Sequence, residues 1–158
     1  MKKRLVFELT NIKKRYHNKT VLNIKHFQCH PGTIYGIIGP IGAGKTTLLK
    51  ILGGRIKPSE GELRFEGDKF QTNWFGKIKP ADDIWFGSIE DLDRNKTVSD
   101  LLPISTGSSK KNNDSYFSAK TQNNLISEKI KNLSQGEKAW ILKCMLHNQD
   151  PRVVIIDD

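Results

Sequence analysis

Residues 39–46 read GPIGAGKT, between the apolar run TIYGII at 33–38 and the run TLLKILGG at 47–54. This is G-x-x-x-x-G-K-[ST] in the setting the pattern requires, a predicted strand before it and a predicted helix after it. Its glycines let successive backbone N–H groups turn inward toward phosphate oxygens, and the helix beginning near Lys45 adds the positive end of its dipole. The backbone of Gly39, Gly42, Ala43, Gly44, Lys45, Thr46 and Thr47 is therefore the candidate anion cradle. Lys45 would reach the β and γ phosphates, and the Thr46 hydroxyl would ligate Mg²⁺. A loop of this kind commits the chain to an α/β arrangement.

The rest of the chain supplies the elements. Residues 4–9 and 20–27 are rich in β-branched and aromatic side chains, with the polar stretch HNKT between them, and read as antiparallel strands. Thr33–Ile38 suits a buried strand, and Leu48, Leu49, Ile51 and Leu52 make the apolar face of a helix closed by Gly53-Gly54. GELRFEG at 61–67 alternates as another strand. Between 67 and 96, Trp74, Phe75, Ile84, Trp85 and Phe86 suggest buried pieces broken by acidic and turn residues. Thr97 and Asp100 form a capping box opening a short helix that Pro103 ends, and residues 104–124, dominated by Ser, Thr, Asn and Lys, predict a poorly packed segment. Helical spacing resumes at Leu125, Ile126 and Ile130. Ser134 and Glu137 make a second capping box, opening a helix to about His147, and VVIIDD at 153–158 predicts a buried parallel strand ending in carboxylates.

With 158 residues and 36% hydrophobic content, one compact domain is expected. The net charge of +9 is not spread evenly: residues 1–60 carry 12 Lys/Arg against 2 Asp/Glu, and the remainder carries 14 against 15. A basic N-terminal third suits a phosphate-rich ligand, an anionic surface or nucleic acid, but no aromatic ladder interleaves with the lysines, which disfavours a nucleic-acid groove. Cys29 and Cys144 lie far apart and form no CxxC pair. His26, Cys29 and His30 have no second ligand pair to complete a metal site and read as strand and loop residues. No run is long enough for a membrane span and no signal-peptide core follows the first basic residues, so a membrane role would be exercised through a partner.

Asp157 ends the last predicted strand, where ligands bind in open α/β sheets, and is a candidate for holding Mg²⁺ directly or through water. The segment LSQGEKAWILKCMLHNQDPRVVIIDD at 133–158, taken with GPIGAGKTTLLKILGG at 39–54, resembles the signature helix, second nucleotide motif and phosphate loop of ATP-binding cassette proteins. Order and spacing match over residues 4–158. The resemblance implies a P-loop NTPase fold with a mostly parallel core sheet, an antiparallel N-terminal β layer and a small helical arm. It implies a partial nucleotide-binding domain over 1–158, its core and β layer in 1–96 and 148–158 and its arm at about 97–147. Tyr16 matches the aromatic residue that stacks on adenine, and Ser134 and Gly136 match positions that reach the γ-phosphate held by the opposite subunit of a dimer.

What the resemblance implies for function is Mg²⁺-dependent ATP hydrolysis that powers solute transport through a separate integral membrane permease. The partners implied are that permease and a second nucleotide-binding subunit, placing the chain on the cytoplasmic face of a membrane. The alternatives are a soluble cassette protein acting on ribosomes or nucleic acid, which the basic N-terminal third favours, and a nucleotide-binding regulatory module with little turnover. Four departures bear on the choice. Gln135 and Glu137 replace a glycine and a glutamine of the commoner LSGGQ. Ser88 stands where the family usually has a metal-contacting glutamine, and Asp158 where it usually has the catalytic glutamate, with Lys45 the other candidate catalytic residue. The sequence stops at Asp158, before the family's later dimer-contact loop, last core strand and switch histidine, so the 158-residue chain is expected to be nearly inactive.

Overall fold

The structure, a computed structural model, describes residues 5–70, 83–102, 125–147 and 149–157. It divides into two compact units, Met1–Phe86 with Val153–Ile155, and Gly87–Arg152 with Ile156–Asp158.

The first unit is built on a hairpin. Strand β1 (Phe7–Tyr16) alternates Phe7, Leu9 and, after an irregularity, Ile12 toward the core, and β2 (Lys19–Cys29) returns antiparallel beside it. Both strands run further than their apolar segments predict, because the polar stretch NIKKRY continues the ladder to a turn at His17 and Asn18. Strands β3 (Glu60–Phe65) and β4 (Asp68–Lys69) complete an antiparallel sheet of order β2-β1-β3-β4. Helix α1 (Lys45–Leu52) lays Leu48, Ile51 and Leu52 on the core formed by Phe7, Leu9, Ile12, Leu22 and Leu63. Leu9, Ile12 and Ile51 are fully buried, each contributing about 1.5–3 kcal/mol of hydrophobic stabilisation. The helix ends in paired return bonds, Arg55 N to Lys50 O at 2.8 Å and Gly54 N to Ile51 O at 3.0 Å, which satisfy its last carbonyls.

One expected strand is not formed. Thr33–Ile38 takes no regular secondary structure and joins neither ladder, and Ile34 and Ile38 are 99% and 96% exposed. A fully buried strand needs backbone partners on its edges, and among the described residues none is bonded to this run as a ladder. It is held on one side instead. The Tyr35 hydroxyl accepts from His30 N at 2.9 Å, its ring meets Phe27 edge-on at 6.0 Å, and Ile37 packs against the core.

Strands β5 (Ile84–Ser88) and β6 (Val153–Asp157) form a two-stranded sheet. Val153 N donates to Asp83 O at 3.0 Å, so the strands start together and run parallel, as the predicted core sheet requires. In the second unit, α2 (Val98–Leu101) opens with the predicted box: Thr97 N donates to Asp100 Oδ2 at 2.8 Å and Asp100 N to Thr97 Oγ1 at 3.3 Å. The segment around Thr97 is tied to residues 128–131 by Val98 N to Glu128 O and Ile130 N to Lys96 O. A 3₁₀ turn (Ile130–Asn132) then leads into α3 (Gln135–His147), with Ile130, Leu133, Ile141 and Leu142 buried. Trp74, Phe75, Pro103 and residues 104–124 lie outside the described residues.

Gly61 marks a point where backbones meet. It has φ +91°, and a Cβ there would lie 2.3 Å from Asn11 O, at the irregularity between Thr10 and Lys13 in the β1–β3 register. No side chain fits without moving β1. Gly61→Val should therefore destabilise the chain by about 2 kcal/mol or more in urea unfolding, whereas an unchanged midpoint would contradict this reading of the bulge.

Candidate functional site: the phosphate loop and the signature helix

Gly44 is the N-cap of α1, at φ +89° and ψ +14°, a left-handed conformation that places the first helical amides at the loop. A Cβ on it would sit 2.8 Å from Val21 O and 2.9 Å from Leu22 Cδ2, so the start of the helix is pressed directly onto β2. No side chain caps this terminus and no acidic residue occupies the first turn. At any helix start the i→i−4 pattern supplies no acceptors for the first-turn N–H groups, and the dipole adds positive potential there. Ahead of the helix, Ala43 N donates to Pro40 O at 3.2 Å and closes a tight turn, with an added Gly39 Cβ only 3.3 Å from Ala43 Cβ. Gly42, at φ +80°, faces open space.

The Lys45 ammonium folds back over this loop, donating to Gly39 O at 2.8 Å and Pro40 O at 2.9 Å. The sequence reading thus has Gly39, Gly42, Ala43, Gly44, Lys45, Thr46 and Thr47 together in one short, solvent-facing turn of chain. A half-buried cation over a ring of backbone dipoles, with no competing carboxylate in the helix's first turn, fits a polyphosphate.

Tyr16 ends β1 opposite Lys19 and is 45% exposed. Sequence reasoning passed over its neighbour: the Lys14 ammonium lies 5.1 Å from the Tyr16 ring centroid and donates to Lys57 O at 2.8 Å. The signal was available, since Lys14 and Tyr16 are two apart on one strand and share a face.

Ser88 and Asp157 are the buried polar residues among those described, 3% and 7% exposed. The bond from Val153 N to Asp83 O sets Val153 opposite Ile84, and the same register carries Asp157 opposite Ser88 at the strands' C-terminal ends. The Ser88 hydroxyl accepts from Glu90 N at 3.3 Å. Asp158 lies outside the described residues. Among the described residues no three His, Cys, Asp or Glu side chains cluster as a metal site, and no helix is long and apolar enough to cross a membrane.

In the second unit the box at α3 is reciprocal. Ser134 N and Ser134 Oγ both donate to Glu137 Oε2 at 2.7 Å, and Glu137 N donates to Ser134 Oγ at 3.3 Å. The Ser134 hydroxyl and then its N–H hold the Glu137 carboxyl below its ordinary value of 4.5, outweighing the small effect of burial. Ser134 and Gly136 are exposed, and a Cβ on Gly136 would meet nothing within 4 Å, so this turn offers a hydroxyl and bare backbone to solvent.

The family model described as ABC transporter matches residues 22–158. The chain belongs to the ABC transporter family. The Buchnera aphidicola lipoprotein-releasing system ATP-binding protein LolD is 31% identical over 169 residues, covering 98% of this chain and 74% of LolD. The uncharacterized ABC transporter ATP-binding protein YhcH of Bacillus subtilis is 27% identical over 161 residues, or 97% of this chain. This ABC chain spans about half of YhcH, 51% of its length. Among solved structures, a bacterial Atm1-family ABC exporter with ATP bound superposes with a TM-score of 0.71 at 18% identity, over 98% of this chain and 29% of the exporter's. That likeness establishes the P-loop fold of an ABC ATPase domain.

The capping box carries a pH dependence. Because the folded Glu137 carboxyl titrates below its unfolded value, its contribution is present above that value and is lost as pH falls through the lowered one. Glu137→Gln can still accept from Ser134 but does not titrate. Urea stability followed from pH 7 to about pH 3 should fall less steeply in the variant than in the parent, and parallel curves would contradict this assignment.

Proposed function

We propose that this chain is an ATP-binding, ATP-hydrolysing subunit that powers solute transport through a separate membrane permease. The observation that carries the reading is the uncapped N-terminus of α1, seated on β2 through Gly44 with the Lys45 ammonium held over the loop by Gly39 and Pro40 carbonyls. That arrangement suits a nucleotide's phosphates. Support from relatives is of the same kind, since LolD is named as the ATP-binding protein of a lipoprotein-releasing system.

In this reading the amides of Gly42, Ala43, Gly44, Lys45, Thr46 and Thr47 hold the phosphate oxygens, and Lys45 exchanges its loop carbonyls for the β and γ phosphates. Tyr16 presents its ring to the adenine base. Bound Mg²⁺ would neutralise charge developing on the transferred phosphoryl group. Thr46 is its candidate ligand on the first unit. The family resemblance also makes Asp157 and Ser88, which the strand register sets opposite one another at the ends of β6 and β5, candidates for metal contact, directly or through water. Asp158 would orient the attacking water as general base, and its side chain is one methylene shorter than the glutamate usual there, so hydrolysis would be slow. Ser134 and Gly136 would complete the site of a second nucleotide-binding subunit. The permease would hold the pair at the cytoplasmic face of the membrane.

The test is the loop lysine. The Lys45 ammonium bonds loop carbonyls and the residue is not one of the buried core, so Lys45→Ala should leave thermal unfolding nearly unchanged while lowering ATP affinity at least about tenfold in calorimetric titration. Equal affinity in variant and parent would remove the phosphate-loop assignment.

A further inference from the structure

Tyr16 is not a free aromatic ring at a strand end. Lys14 sits two residues earlier on the same face of β1, beyond the buried Ile12, and its ammonium lies 5.1 Å from the ring centroid. The same ammonium donates to the Lys57 carbonyl at 2.8 Å. That carbonyl belongs to a braced turn: Ser59 N donates to Lys13 O at 2.7 Å, Arg15 N donates to Ser59 Oγ at 3.0 Å, and Glu60 pairs with Lys13 and Arg15 at 2.9 Å each. Lys14 therefore spans from a fixed backbone acceptor to one face of the Tyr16 ring.

The hairpin also relates this ring to the phosphate loop. Lys14 lies opposite Leu22, and Leu22 with Val21 is the surface on which Gly44 is seated. Tyr16 is two residues further along β1, roughly 7 Å of strand. The ladder shifts register between Lys14 and Arg15, with Val21 the extra residue on β2, so β1 itself runs unbroken from Lys14 to Tyr16.

We propose that Lys14 is a positioning residue for the nucleotide base: it closes one face of Tyr16 and fixes the ring, leaving the other face for a purine whose phosphates lie in the 39–47 loop. This rests on the reading of Tyr16 as the base platform. The ammonium attracts the ring's π-face electrostatically, and a ring already held in place loses less side-chain freedom when the base arrives. The contribution concerns the base and not the phosphates, because the Lys14 charge is committed to the Lys57 carbonyl and the ring.

The experiment compares ATP with inorganic tripolyphosphate, which has the phosphates and no base, by calorimetric titration of the full chain. Variants are Lys14→Met, Lys14→Arg, Tyr16→Ala and the Lys14→Met/Tyr16→Ala pair, each first checked for parental thermal unfolding. Lys14→Met should weaken ATP about two- to fivefold and leave tripolyphosphate unchanged. Lys14→Arg, which keeps a cation able to stack, should restore parental ATP affinity, and Lys14→Met should have no further effect once Tyr16 is alanine. Three results would overturn the proposal while leaving the base platform standing, provided Tyr16→Ala still weakens ATP. They are parental ATP affinity in Lys14→Met, equal weakening of ATP and tripolyphosphate, and an undiminished Lys14 effect in the Tyr16→Ala background. If Tyr16→Ala itself binds ATP as the parent does, the platform reading fails and the Lys14 proposal falls with it.

Discussion

The contact between Gly44 and the Val21–Leu22 segment of β2 is the constraint on which the first unit's chemistry depends. A helix N-terminus attracts anions only if it is held where an anion can reach it and is not already capped. Here the helix is held from below by Leu48, Ile51 and Leu52 in the core and at its tip by a contact so close that only glycine fits. The left-handed backbone at Gly44 serves both demands: it turns the chain into the helix and removes the Cβ that would lift the helix off the sheet. Everything ahead of it, the Pro40–Ala43 turn and the Lys45 ammonium over Gly39 and Pro40, is arranged around that fixed start.

The signature turn solves a similar problem differently. At α3 the first-turn amides meet a capping box, with a carboxylate drawn in by the Ser134 hydroxyl and N–H. One helix start has neither a side-chain cap at its N-cap residue nor an acidic residue in its first turn, whereas the other is closed by its own side chains while Ser134 and Gly136 remain exposed. An incoming phosphate at this turn would compete with Glu137 for the Ser134 hydroxyl, a competition that a glutamine at 137 would meet without a negative charge.

Legibility from the sequence followed how local each determinant is. The glycine turn ahead of α1, the helix itself and both capping boxes were readable because spacing, glycine and capping chemistry act within a few residues. The hairpin was readable as a pair of strands but not in length: the polar NIKKRY pairs because its partners across β2 and β3 are in place. Thr33–Ile38 has the composition of a buried strand, yet strand formation is decided by a neighbour, and composition does not say whether one is bonded to it. The opposition of Ser88 and Asp157 is a property of register between segments almost seventy residues apart, which local pattern does not carry. Lys14 carried a local signal in its two-residue spacing from Tyr16, but the carbonyl that anchors its ammonium lies on a different segment and leaves no such signal.

The central claim is that the start of α1 and the turn before it form one preorganised phosphate cradle. Backbone amide shifts of the isotope-labelled chain, followed during titration with inorganic tripolyphosphate, address it residue by residue. The account predicts saturable shifts at one equivalent, largest for Gly42 through Thr47 and small on the outer lysines of the hairpin. Shifts confined to the lysines and arginines of β1 and β2, growing without saturation, would mean that the basic surface and not the loop binds the anion, and would contradict it.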